Sequence, residues 1–130
     1  MKMPVLTILI IFFTFACSFA QHIPQPAYLT ASWYDRASLI REGTWKNSKG
    51  RMSNGKLFNE NSFTAASCDF PLKTKLRITN IKDPKKNVVV EITDKTNKRF
   101  KGKRVDLSRA AFLVIADLRD GLCRIKVEVL

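Results

Sequence analysis

Asp94 closes a row of alternating apolar residues, Val88, Val90 and Ile92, in a strand-like run. Glu91 and Thr93 fall on the opposite face with Val89. A carboxylate that extends a buried row belongs at the rim of a core. Desolvation at such a rim favours the protonated form of a carboxylic acid, which is the form a general acid needs. The rest of the chain narrows the chemistry further. A single histidine, His22, serves all 130 residues. Ser-His-Asp and Cys-His catalysis would have to run through it, and His-based metal sites are disfavoured. Chemistry therefore falls to carboxylates, amides, hydroxyls and cationic side chains. Among the other carboxylates, Asp106 precedes a helical segment and reads as ordering that junction. Glu60 reads as solvated. Asp69 lies in a turn before Pro71.

The elements that must hold these residues are short. Residues 1–20 stand apart, with Lys2 followed by an apolar run from Val5 to Phe15. That run is shorter than the roughly 20 residues a membrane-spanning helix needs. With Ser18 and Ala20 it matches a secretory signal cleaved after Ala20. Lipid attachment at Cys17 is the less favoured route, because Thr14 stands where a Leu-like residue is wanted. Residues 21–30, with Pro24 and Pro26, read as an extended leader, and residues 31–130 as one small domain. Export places Cys68 and Cys123 in an oxidising compartment. One disulfide between them is the simple expectation, and two buried thiols the alternative.

Tyr28–Tyr34, Leu76–Ile81 and Val88–Asp94 read as strands, and the last alternates cleanly from Cys123 to Val129. Arg36–Gly55 is polar and glycine-bearing and reads as a long loop. Ser108 is a good N-cap for a helix running to about Leu118. Strands dominate, and a closed barrel would remove the edges of such short strands.

Ordered motifs then carry a resemblance. They are Ala31-Ser32-Trp33-Tyr34, Met52-Ser53-Asn54-Gly55 with Phe58, Thr64-Ala65-Ala66, Pro71-Leu72 with Thr74, and Ile78-Thr79-Asn80. The valine-rich strand ending at Asp94 follows, then Arg104-Val105-Asp106-Leu107-Ser108-Arg109-Ala110-Ala111. The sequence resembles the RlpA-like (rare lipoprotein A) family. The resemblance implies a mainly β fold, a small six-stranded double-psi β-barrel with one or two short helices. It implies an endolytic peptidoglycan transglycosylase that cuts glycan strands lacking stem peptides and leaves 1,6-anhydro-muramic ends. Expansins and barwin-like proteins share the barrel, so a non-catalytic wall-polysaccharide-binding barrel is the alternative. Of the family's four polar site positions, Lys56 replaces a Glu, Asn59 an Asp and Ser67 a His, and only Asp94 is retained.

A lytic reaction can run on one acid. The acid protonates the glycosidic oxygen as the bond breaks, and its carboxylate then takes the proton of the sugar's own C6 hydroxyl. Asp94 is the catalytic candidate. Lys56, Asn59, Ser67, Trp33 and Tyr34 are the substrate-binding candidates, the aromatics by stacking on sugar rings. This chemistry needs no metal or cofactor. The charge of +12 fits an anionic envelope surface or wall polymer. The export signal disfavours nucleic acid, and a monomer is expected.

Overall fold

The computed structural model describes residues 25–130; the signal-like segment, Cys17 and His22 lie outside them. Six strands close a barrel: β1 (Ala27–Tyr34), β2 (Thr64–Ala66), β3 (Lys75–Asn80), β4 (Asn87–Asp94), β5 (Arg104–Ser108) and β6 (Cys123–Val129). Their order around the wall is β1-β5-β2-β4-β3-β6. β1·β5 and β2·β4 run parallel, and the other four pairs run antiparallel. The expected mainly β, six-stranded barrel is what the chain forms. β1 begins one residue before the expected strand Tyr28–Tyr34, and its first residues Ala27–Thr30 fall within the 21–30 segment also read as leader. The cause is pairing: Ala27 to Ala31 zip antiparallel onto Val127 to Cys123.

Alternation fills the barrel. Leu29, Ala31, Leu76, Ile78, Val88, Val90, Ile92, Val105, Leu107, Ile125 and Val127 point inward and are buried. α3 (Arg109–Ile115) closes the barrel with Ala111, Phe112 and Ile115. The Ser108 hydroxyl caps this helix by accepting from Ala111 N–H. The helix stops at Ile115, short of the expected Leu118. The chain there turns extended at Ala116, and a separate 3₁₀ turn forms over Leu118–Asp120.

Arg36–Gly55 is not all loop. It holds α1 (Arg36–Arg41) and α2 (Thr44–Ser48), which makes three short helices in place of one or two. Neither α1 nor α2 buries a residue, so no apolar stripe marked them in the sequence. A capping box does mark the start of α1. The Asp35 carboxylate accepts from Ser38 N–H at 2.8 Å, and the Ser38 hydroxyl accepts from Asp35 N–H at 3.0 Å. Gly50 ends the excursion with φ of 75° beneath the Trp45 ring. A Cβ at Gly50 would lie 2.6 Å from that ring, so glycine is required for both reasons.

Cys68 and Cys123 are free thiols, which corrects the disulfide expectation. Cys68 follows β2, and Cys123 opens β6. Two strands separate β2 from β6 in either direction around the barrel. At about 4.8 Å per strand, three steps exceed the roughly 7 Å between Cα atoms that a disulfide allows. Each thiol instead meets a backbone carbonyl, Asn97 for Cys68 and Arg124 for Cys123. Burial pushes the Cys123 thiol up, with Asp120 adding to the effect. We expect both cysteines to alkylate in denaturant without prior reduction, read by peptide mass spectrometry. Phe112→Ala is expected to cost about 3–5 kcal/mol, measured by urea denaturation, because it empties a fully buried position.

Candidate active site

The register of four adjacent strands builds the site. Ser32 of β1 pairs with Asp106 of β5, Asp106 with Ala66 of β2, and Ala66 with Asp94 of β4. These four residues form one row on the outer face of the barrel. They floor a cleft of about 510 Å³. One wall is the α1–α2 excursion, through Ser38, Leu39, Glu42 and Thr44. The other is the 95–104 segment, through Lys95, Thr96, Arg99 and Phe100.

Asp94 does not continue the inner row of β4. The register slips between Ala65 and Ala66, so Ala65 pairs with Ile92 but Ala66 pairs with Asp94. Thr93 is the extra residue of this bulge. It is buried, and its hydroxyl lies 3.2 Å from Met52 Sδ. The bulge turns Asp94 from the core side onto the cleft face, a common use of bulges. Asp94 Oδ1 accepts from Ser53 N–H at 3.1 Å, from the Ser53 hydroxyl at 2.6 Å and from Lys95 N–H at 2.8 Å. Among the described residues, none of its hydrogen bonds uses Oδ2.

Asp106 is the residue that sequence reasoning missed. It lies within β5 rather than at the helix junction, and it shares the cleft floor with Asp94. Its Oδ1 accepts from Arg104 Nε at 2.9 Å and from the Ser32 hydroxyl. Arg104 is in turn stacked 3.9 Å over the Phe100 ring. The alternation Val105–Leu107 inward already implied that Asp106 faces outward with Arg104. Its proximity to Asp94 depends on β5 and β2 being neighbours, which the local sequence does not state. Two strand steps put the two Cα atoms about 10 Å apart, with the small Ala66 between them.

Tyr34 also lines the cleft. Its ring stacks on Phe58 at 4.7 Å, and among the described residues no group bonds its buried hydroxyl. Burial raises the phenol far above its ordinary range, and the Asp94 and Asp106 charges add to that. It is thus a neutral donor at physiological pH. Trp33 takes the other face. It packs against the core and donates Nε1–H to Leu118 O at 3.0 Å, while its edge reaches the cleft.

Three binding candidates are placed elsewhere. Ser67 is fully buried, and its hydroxyl accepts from Asp69 N–H. Its hydroxyl orders the strand end. Lys56 and Asn59 are exposed on the turns after α2 and do not line the cleft. Asn59 spends its side-chain oxygen on Asn61 N–H. A second cleft, near Thr30, Asn80, Lys82 and Arg124, holds only one carboxylate, Asp120.

A family model described as lytic transglycolase matches residues 27–127. The chain belongs to this family. The endolytic peptidoglycan transglycosylase RlpA of Pasteurella multocida is 33% identical over 100 residues, covering 77% of this chain and 33% of that protein. The one of Rickettsia bellii is 35% identical over 101 residues, covering 77% and 40%. The chain thus spans less than half the length of these two relatives. Among solved structures, the Streptomyces papain inhibitor superposes with a TM-score of 0.58 at 19% identity, covering 81% of this chain and 96% of that one. The expansin of Clavibacter michiganensis gives 0.52 at 18%, covering 80% and 50%. Both likenesses concern the barrel fold. The lytic transglycolase match covers all of β1 to β5 and most of β6, and with them every strand of the Asp94–Asp106 cleft.

The shifted phenol sets a pH dependence. A proton held more tightly in the folded chain than in the unfolded one stabilises folding below the unfolded value, near pH 10, and that contribution fades above it. Urea titrations between pH 8 and 11 should show wild-type stability falling faster than that of Tyr34→Phe. At pH 7 the two should agree within about 1 kcal/mol, because the hydroxyl has no partner among the described residues to lose.

Proposed function

We propose that this barrel is a lytic transglycosylase acting on peptidoglycan glycan outside the cytoplasm, with its cleft as the active site. The observation that carries this reading is the pair Asp94 and Asp106, set either side of Ala66 under a cleft in a chain of the lytic transglycolase family. The names of its relatives point to the substrate. The signal-like residues 1–20 accord with export.

The two carboxylates divide the work by their surroundings. Asp106 is ion-paired with Arg104. Asp94 makes no ion pair among the described residues, and its Oδ2 remains for a ligand. Asp94 takes the acid's role, because its Oδ2 is open toward the glycosidic oxygen. It protonates the glycosidic oxygen as the C1–O bond breaks, and Asp106 supplies fixed negative charge near the cation developing at C1. The Asp94 carboxylate then accepts the proton of the same sugar's C6 hydroxyl. The C6 oxygen closes on C1 and gives the anhydro end, so no water enters and the proton count balances. The neutral Tyr34 hydroxyl donates to a sugar oxygen and fixes the ring. Ala66, with the smallest side chain of the row, lies between the two carboxylates.

Digestion of peptide-free glycan strands, followed by mass spectrometry, tests the reaction. Wild type should release anhydro-ended fragments. Asp94→Asn should lower the rate at least about 100-fold, the range of a general acid. Asp106→Asn should lower it as well, with anhydro ends retained in the residual product. Hydrated ends would instead indicate a two-carboxylate hydrolysis. Binding without any cleavage would leave a polysaccharide-binding barrel and overturn the proposal.

A further inference from the structure

The cleft has a strongly basic wall beside an acidic floor. Lys95, Lys98, Arg99, Lys101, Lys103 and Arg104 fall within ten residues that include no Asp or Glu. The backbone of this arm is fixed from several sides. Gly102 N–H donates to both Asp69 oxygens at 2.9 Å. Thr30 N–H donates to Lys103 O at 2.9 Å. Asn97 caps the 3₁₀ turn Lys98–Phe100 by accepting from Arg99 N–H. The arm therefore presents its side chains in set positions.

Its charges are not spent on the floor. Arg104 pairs with an acid, Asp106. Lys95 turns its ammonium away, donating to Phe70 O at 3.1 Å. Arg99 lies at the cleft with its guanidinium 4.7 Å from the Phe100 ring centroid. Among the described residues, Arg99 and Lys98 join no ion pair. Phe100 thus has one guanidinium committed to the floor and one facing outward. The outward guanidinium is a planar donor suited to a carboxylate.

We propose that Arg99, supported by Lys98, is a subsite for a carboxylate carried on the glycan chain, and so a specificity determinant of the cleft. The inference rests on the glycan reading above. An anionic substituent is repelled by the Asp106 carboxylate and attracted to the arm. The polymer is thereby oriented with its neutral glycosidic oxygens over the floor and its carboxylates on the wall. The amide formed when such a carboxylate is capped carries no charge for Arg99, so the subsite distinguishes free acid from amide.

Binding of the barrel to two probes decides this. One probe is peptide-free glycan strands with their lactyl carboxylates intact. The other is the same strands amidated with methylamine. Wild type should bind the free-acid strands about tenfold more tightly, the size of one charge-assisted hydrogen bond, and less so at high salt. The double variant Lys98→Gln, Arg99→Gln should lose that preference and bind amidated strands as wild type does. Equal wild-type affinity for the two probes, or an undiminished preference in the variant, overturns the subsite and leaves the glycan reading standing. Binding to neither probe overturns the glycan reading itself.

Discussion

Every feature of the cleft depends on β5 lying between β1 and β2. That placement aligns Ser32, Asp106, Ala66 and Asp94 across four strands. It also forces two parallel pairs, β1·β5 and β2·β4, into an otherwise antiparallel barrel. Parallel neighbours cannot be joined by a tight hairpin and need a crossover. The 35–63 stretch carries the chain from β1 past β5 to β2, and the 95–103 stretch carries it from β4 past β2 to β5. Both become cleft walls. The same pairing rule that closes the barrel therefore supplies the floor and the sides of the site.

The bulge at Thr93 is the second requirement. Strict alternation would send Asp94 inward with Val88, Val90 and Ile92, where a carboxylate would meet only apolar side chains. One inserted residue reverses its face and gives it three hydrogen-bond donors on Oδ1. Ser53, which supplies two of them, sits on the turn that also covers Thr93 through Met52. The residues Met52-Ser53-Asn54-Gly55 thus hold the bulge and its carboxylate at once.

What could be read from the chain follows the range of each interaction. The inward rows of β4 and β6 and the Ser108 cap are local patterns, and they appear where the alternation and the N-cap rule put them. The block Arg104 to Ala111 carried the family resemblance, yet the role of Asp106 within it was missed. Its neighbours Ser32 and Ala66 are brought in by strands far away in the sequence. The register slip at Thr93 is likewise a property of the β2·β4 pair and not of β4 alone. The α1 and α2 helices escaped notice for a different reason. They bury nothing, so capping by Asp35 was their main sequence sign.

The resemblance implies departures from the family pattern at Lys56, Asn59 and Ser67, and the structure gives the place of each. Lys56 and Asn59 stand on exposed turns outside the cleft lining, and Ser67 is sealed inside the wall. The side chains on the floor are Ser32, Asp94 and Asp106, and the Arg104 that orders Asp106 is held by Phe100. A lysine at position 56 therefore adds its charge to the exposed surface, outside the cleft lining. The separation also explains how a chain of such positive charge keeps an acidic floor. Asp94 is bonded by a serine and by backbone N–H groups, and its neighbour Lys95 spends its ammonium on a carbonyl. The positive charge is held on the walls, where it can draw in an anionic polymer, and only Arg104 descends to the floor.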